Sequence, residues 1–387
     1  MTEQESPMNT RHPRYLIMTA SIGSGHIKAA EAIAREVRRV DEDAIIEIVD
    51  FMSRGVSTLH WLMKRIYLLM LAFVPDLYDR CYQFAGGDSG GRLTDTAFSL
   101  IMYRRMAKLI DSFHPDTVIC THPFPEGACS FIKKFSKRQF RLGVVLTDYS
   151  LHEIWVYPRV DDYFVAIPKM KDGLVAKGFA ESAVHVTGIP VDRKILGLPD
   201  KAGARQQLGL AEGQPVVMLM GGGLGLGGIE AMLDDLEGIE QPLTLLVVAG
   251  RNEDLELAIR RRIPTSRHEL HVWGFTQRAQ LLMRASDILV TKPGALTTSE
   301  AFILGLPTVL HDPIPGPEEE NAVYATEHGA AVWVHPGESL AGAVKELLWA
   351  PARLAALAEG ARACGRPDAA LEIAETLRNK TICEDNS

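Results

Sequence analysis

The sequence lacks the marks of several large classes. Its five cysteines (Cys81, Cys120, Cys129, Cys364 and Cys383) are scattered and include no Cys-x-x-Cys. This excludes a disulfide framework and a zinc ribbon and fits a reducing compartment. There is no His-Glu-x-x-His, and the twelve histidines are dispersed, so no metal is expected. Walker A, Gly-x-Ser-x-Gly and kinase signatures are missing too. The longest apolar run, 66–74, ends at Pro75-Asp76, well short of the ~20 residues that span a bilayer. Residues 1–14 have no apolar stretch of the kind a secretory signal carries, and are expected to form a flexible tail. Basic residues are not in excess. The first 200 residues hold 25 Lys/Arg against 24 Asp/Glu, and 201–387 hold 16 against 25. The net charge of −8 argues against nucleic acid as a partner and leaves only the first half suited to an anionic surface.

What the chain does contain is alternation. At 387 residues with 47% hydrophobic side chains it exceeds one ordinary core. Short Val/Ile/Leu-rich runs at 15–20, 44–50, 117–122, 141–148, 163–167 and 184–188 read as strands covered on both faces. The pattern restarts at Pro215 with runs at 216–220, 243–250, 270–274, 287–292 and 308–312. The expectation is an α/β protein of two doubly wound parallel-sheet units: 15–190, a Pro/Gly-rich linker at 191–204, and 205–365. A helix and tail over 366–387 would return to the first unit. Ligands in such sheets lie outside the carboxyl ends of the strands, so the chemistry is sought in the strand-end loops.

In the first unit, Ser21–His26 is a small-residue turn that opens a helix, a seat for an anion or an oxygen-rich headgroup. Lys28 stands where a dinucleotide fingerprint needs glycine. Asp148, His152 and Trp155 follow a strand. An acid or imidazole there can take a proton from an alcohol, or simply cap a helix. In the second unit, Gly221–Gly228 contains Gly-x-G-x-x-G spacing, but the next strand ends Ala249-Gly250-Arg251 without a ribose-binding acid. Thr291–Glu300 leaves a strand through Pro-Gly and opens a helix, a suitable seat for a diphosphate, with Glu300 placed to accept ribose hydroxyls or to stabilise the helix dipole. Glu318, Glu319 and Glu320 open another helix. Trp61, Leu69 and Phe73, beside Lys64 and Arg65, form an amphipathic stripe suited to a membrane interface or to a core.

Taken in order, GSGHIKAAEAI (23–33), THPFP (121–125), TDYSLHEIW (147–155), VTGIPV (186–191), AGRNEDL (249–255), WGFT (273–276), TKPGALTTSEA (291–301) and PGPEEENA (315–322) resemble the monogalactosyldiacylglycerol synthases and bacterial diacylglycerol glucosyltransferases. That resemblance implies a GT-B fold and inverting, metal-independent transfer from a UDP-hexose to diacylglycerol. It also implies peripheral attachment to anionic lipids on the cytoplasmic face of the cell membrane. His26 and Asp148 would be the catalytic candidates. Gly25, His152, Trp155, Trp61, Leu69 and Phe73 would lie on the acceptor side. Gly222, Gly223, Arg251, Asn252, Phe275, Thr276, Lys292, Gly294, Ala295, Leu296, Thr297, Glu300, Glu318 and Asn321 would hold the donor, with no cofactor. Pro317 stands where the family commonly has Gln, so the choice between glucose and galactose stays open. A related muramyl-lipid N-acetylglucosaminyltransferase, a nucleotide-sugar epimerase and a non-enzymatic nucleotide-sugar sensor are the rival readings.

Overall fold

A computed structural model describes residues 12–21, 24–51, 103–211, 213–221 and 228–385. Trp61, Leu69, Phe73, Gly222 and Gly223 lie outside the described residues. The first sheet is built from β1 (Arg14–Thr19), β2 (Ile45–Asp50), β3 (Thr117–Cys120), β4 (Arg141–Val145), β5 (Asp162–Val165) and β6 (Val184–Val186). Its order is β2-β1-β3-β4-β5-β6, parallel at every described pairing. The second contains β7 (Val216–Met220), β8 (Thr244–Val248), β9 (Glu269–Trp273), β10 (Ile288–Thr291), β11 (Thr308–Leu310) and β12 (Ala331–Trp333). It is also parallel and runs β12-β11-β10-β7-β8-β9.

The helices of the first half are α1 (Gly25–Val40), α2 over 103–113, α3 (Pro123–Phe135) and α4 (Pro168–Ala176). Those of the second are α5 (Lys201–Leu208), α6 (Ile229–Leu236), α7 (Glu253–Arg262), α8 (Ala279–Ala285), α9 (Ala295–Leu304), α10 (Pro317–Glu327), α11 (Leu340–Leu348), α12 (Pro351–Cys364) and α13 (Ala369–Asp385).

Three differences from the sequence reading have physical causes. Several strands stop two or three residues before the apolar runs do, because trailing pairs such as Thr147-Asp148 and His311-Asp312 have already turned out of the ladder. Strand β2 is an edge strand with Ile45 and Ile48 exposed, not a strand covered on both faces. Residues 191–204 do not form a loose tether: Val191, Ile195 and Ala204 are buried in the cluster beneath β7 and β8, and α5 starts at Lys201. Helix α13 packs on α1, with Ile373, Ala374 and Leu377 completing a cluster around Tyr15, Ile17 and Ile33.

Strand order reverses between β1 and β3 in one sheet and between β7 and β10 in the other. These reversals open crevices at the carboxyl ends of the strands. The loops that leave β1, β3, β7 and β10 carry most of the motifs singled out above.

Candidate active site

Helices α1 and α9 meet across the cleft with their N-termini facing. Gly25 opens α1, and a Cβ built there would lie 3.8 Å from Cβ of Leu296 in the first turn of α9. Neither Ser24, before α1, nor Gly294, before α9, gives a side-chain cap, and neither first turn holds an acid. Two sets of unpaired N–H groups and two positive dipole ends therefore share one gap, an arrangement suited to an anion.

His26 lies in the first turn of α1. Its Nδ1 is 2.8 Å from the Thr121 carbonyl and 2.9 Å from Oγ1 of Thr147. A carbonyl can only accept, so Nδ1 carries the proton in the neutral ring and Nε2 keeps the lone pair. The Thr121 hydroxyl donates to the His26 carbonyl at 3.0 Å, and His122 packs edge-on to the ring at 4.7 Å. Burial pushes the His26 imidazole below its usual value, opposed by the Asp148 carboxylate and the Thr121 carbonyl. Burial pushes Asp148 up, opposed by His26, the Asn321 amide and Lys292. These effects favour a neutral imidazole and link its titration to that of the acid beside it.

Opposite, the donor candidates gather around α9. Glu300 is buried, with its carboxyl raised by burial against the pull of Lys28, and Oε1 accepts from Nε2 of Gln280 at 2.9 Å. An open pocket runs past it, bordered by Lys28, Lys194, Thr276, Gln280 and Leu296. Ala295 is buried, Thr297 is half-buried, and Gly294 lies against Glu318. Lys292 pairs with Glu318, whose other oxygen accepts from the Ile314 amide at 2.8 Å. Arg251 stacks on the Phe275 ring at 4.6 Å, Thr276 accepts from the Arg278 amide, and Asn252 caps α7 through Leu255 N–H at 3.0 Å.

Two of the expected contact residues are buried. Trp155, placed on the acceptor side, is 3% exposed and belongs to a core cluster with members from both halves of the chain. Asn321 is 0% exposed, and its amide is bonded to Asp148, Pro293 and Tyr149. His152 accepts from Ile154 N–H at 3.3 Å and so caps the short 3-10 helix Glu153–Trp155. Among the described residues, no cluster of three His, Cys, Asp or Glu is placed to hold a metal. The sequence reading missed Thr121, Thr147, Lys28 and Gln280. The first three stand inside the THPFP, TDYS and GSGHIKAAEAI segments, beside residues already singled out, whereas Gln280 had no local signal.

Residues 26–191 match the model of the monogalactosyldiacylglycerol synthase family, and 216–373 match the glycosyltransferase family 28 C-terminal domain. Between them the two matches take in nearly all of both sheets. The first half of the chain thus resembles the monogalactosyldiacylglycerol synthases and the second half the family 28 glycosyltransferases. The chain is 28% identical, over 97% of its length and 96% of the relative's, to a processive diacylglycerol beta-glucosyltransferase of Bacillus thuringiensis. The Bacillus cereus protein of the same name is equally similar over the same shares. Among solved structures, MurG of Acinetobacter baumannii superposes with a TM-score of 0.63 at 14% identity, covering 95% of this chain and 100% of that one. Anabaena HepE in complex with UDP-glucose gives 0.57 at 17% identity, covering 95% and 100%. The chain thus has the GT-B architecture expected of it and is a glycosyltransferase.

Proposed function

We propose that this glycosyltransferase moves a hexose from a UDP-sugar to the free hydroxyl of diacylglycerol with inversion, giving a β-glycosyl lipid. The observation that carries the reading is the meeting of two uncapped helix N-termini between a buried carboxyl, Glu300, and an imidazole with a free Nε2, His26. The Bacillus relatives, named for β-glucosyl transfer to diacylglycerol, support the acceptor and the linkage. The UDP-glucose complex of HepE supports a UDP-linked donor.

In this reading the diphosphate sits at the N-terminus of α9, with Lys292 beside it. Glu300 accepts both ribose hydroxyls, and the uracil lies along Phe275 and Thr276, with Arg251 and Asn252 bordering the pocket. The acceptor hydroxyl approaches Nε2 of His26. As oxygen attacks the anomeric carbon from the face opposite the diphosphate, the bond from that carbon to UDP breaks. The hydroxyl proton passes to His26, while Asp148 stabilises the imidazolium. Negative charge growing on UDP is met by helix-end N–H groups and Lys292, fixed donors that need no reorganisation. Glu318 faces the hexose once Lys292 turns to the phosphate.

No helix among the described residues is long and apolar enough to cross a membrane. Attachment to the cytoplasmic leaflet through 57–75, aided by anionic lipid, belongs to the same proposal.

Radiolabelled UDP-glucose and UDP-galactose, each offered with diacylglycerol vesicles, test the reaction, and a labelled monoglycosyl lipid from one donor is expected. Glu300→Ala should weaken UDP binding roughly 10–100-fold, the loss of one or two hydrogen bonds to a carboxylate. Turnover with neither sugar overturns the reaction, and unchanged UDP affinity in calorimetry overturns the ribose assignment.

A further inference from the structure

We propose that Asn321 is a positioning residue, one that sets the Asp148 carboxylate from the donor side of the cleft and does not touch the transferred sugar. The inference deepens the transfer reaction proposed above and rests on it. Oδ1 of Asn321 accepts from the Tyr149 backbone N–H at 2.9 Å. Its Nδ2 donates to the Pro293 carbonyl at 3.1 Å and to Oδ1 of Asp148 at 3.3 Å. A side-chain amide has two N–H donors, and both are spent on protein. With the side chain fully buried, a sugar hydroxyl meets no free donor there.

The three partners explain what the clamp does. Pro293 lies between Lys292 and Gly294, in the loop that enters α9, whereas Asp148 and Tyr149 leave β4 of the other sheet. One amide therefore fixes the distance between the donor seat and the acid of the acceptor side. A second tie runs in parallel. The Tyr149 hydroxyl is 2.7 Å from Oγ of Ser299, the residue before Glu300, and its ring stacks on Tyr324 of α10 at 4.5 Å and 9°. Movement of α9 or α10 is thereby transmitted to the segment carrying Asp148.

The charged groups facing Asp148 are His26 from α1 and Lys292 from the loop after β10, with the Asn321 amide supplied by α10. Lys292 is itself paired with Glu318, and His26 packs against His122. Of these, only the Asn321 N–H is a neutral donor aimed at the carboxylate. Removing it leaves the anion less stabilised, so Asp148 becomes harder to ionise.

The test uses full-length Asn321→Ala and Asn321→Asp, with circular dichroism to check folding. Asn321→Asp keeps an acceptor for Tyr149 and places a second carboxylate beside Asp148. Titration of the Asp148 carboxyl carbon by NMR, assigned by its loss in Asp148→Asn, should show the midpoint rising by about one pH unit in Asn321→Ala, and further in Asn321→Asp. Transfer from the UDP-hexose the unsubstituted protein uses should show kcat reduced about 10–100-fold and its acid limb displaced upward, with the UDP dissociation constant within about twofold. A higher KM for the donor at unchanged kcat, or an Asp148 midpoint that does not move, overturns the proposal. A moved midpoint in a protein that transfers no hexose would defeat the reaction while leaving the clamp in place.

Discussion

Glu126 poses the sharpest residue-level question, because it lies in α3 with 0% exposure and no cation paired with it among the described residues. Its Oε1 accepts from the Tyr163 hydroxyl at 3.4 Å, and Oε2 has no partner among the described residues. Burial drives the carboxyl well above its ordinary value, Tyr163 opposes that, and Cys129 adds to it. The folded chain therefore holds a proton here that the unfolded chain releases. That contribution to stability is complete below the ordinary carboxyl pKa and is lost as pH rises through the folded value. Glu126→Gln, neutral at every pH, should match the unsubstituted protein at pH 4 and exceed it by about 1–3 kcal/mol at pH 8. Urea melts at the two pH values check this, and an equal effect at both would mean the carboxyl is not the source. His26 and Asp148 were singled out in the sequence because each lies close to where a strand run gives way to a turn, and Glu300 because it follows the Pro-Gly turn into α9. Glu126, four residues past His122 inside an apolar helix, carried no such mark. The Tyr149–Asn321 bond joins residues 172 apart, and a single sequence has no periodicity that couples positions so distant.

Elements show the same division between local and distant causes. Runs such as VVMLM were readable as strands because both faces of β7 are buried. Strand β12, with three residues, was missed. Helix–helix contacts were less visible still. A Cβ at Gly360 of α12 would lie 2.2 Å from the Gly329 carbonyl oxygen and 2.6 Å from its carbonyl carbon, just beyond α10. Since the obstacle is backbone, no side-chain rotation relieves it, and Gly329 at φ +62° closes a turn that cannot easily shift. Gly360→Ala raises intrinsic helix propensity by about 1 kcal/mol, yet it should destabilise the protein by about 1–3 kcal/mol through overpacking. Denaturant melts read the sign directly, and a gain in stability would show that α10 and α12 are more loosely apposed than this geometry requires.

At the scale of the molecule, the last helix binds the two halves of the chain together. Helix α13 follows the second sheet in sequence but completes the core of the first, where Leu377 is 0% exposed and lies against Gly143 on β4. Lys380 of α13 pairs with Asp162, which also takes Arg141 at 2.5 Å and His185 at 3.0 Å, and Arg193 meets Asp368 at 2.7 Å. Burial alone would raise the Asp162 carboxyl, but these three partners hold it below the usual range. Its contribution is therefore present above the ordinary carboxyl pKa and is withdrawn as pH falls toward the folded value. Leu377→Ala leaves that ion cluster in place but removes a buried side chain, a loss of about 2–5 kcal/mol. Because the missing contacts all belong to the first sheet, the cost should fall unevenly. Hydrogen exchange read by mass spectrometry is expected to show β1 and α1 losing protection while β7 and β8 retain theirs, and acidification should widen the gap as Asp162 protonates. Equal loss in both sheets would mean that the Tyr149 and Asn321 ties make the domains unfold as one unit, and that α13 adds stability without deciding which half yields first.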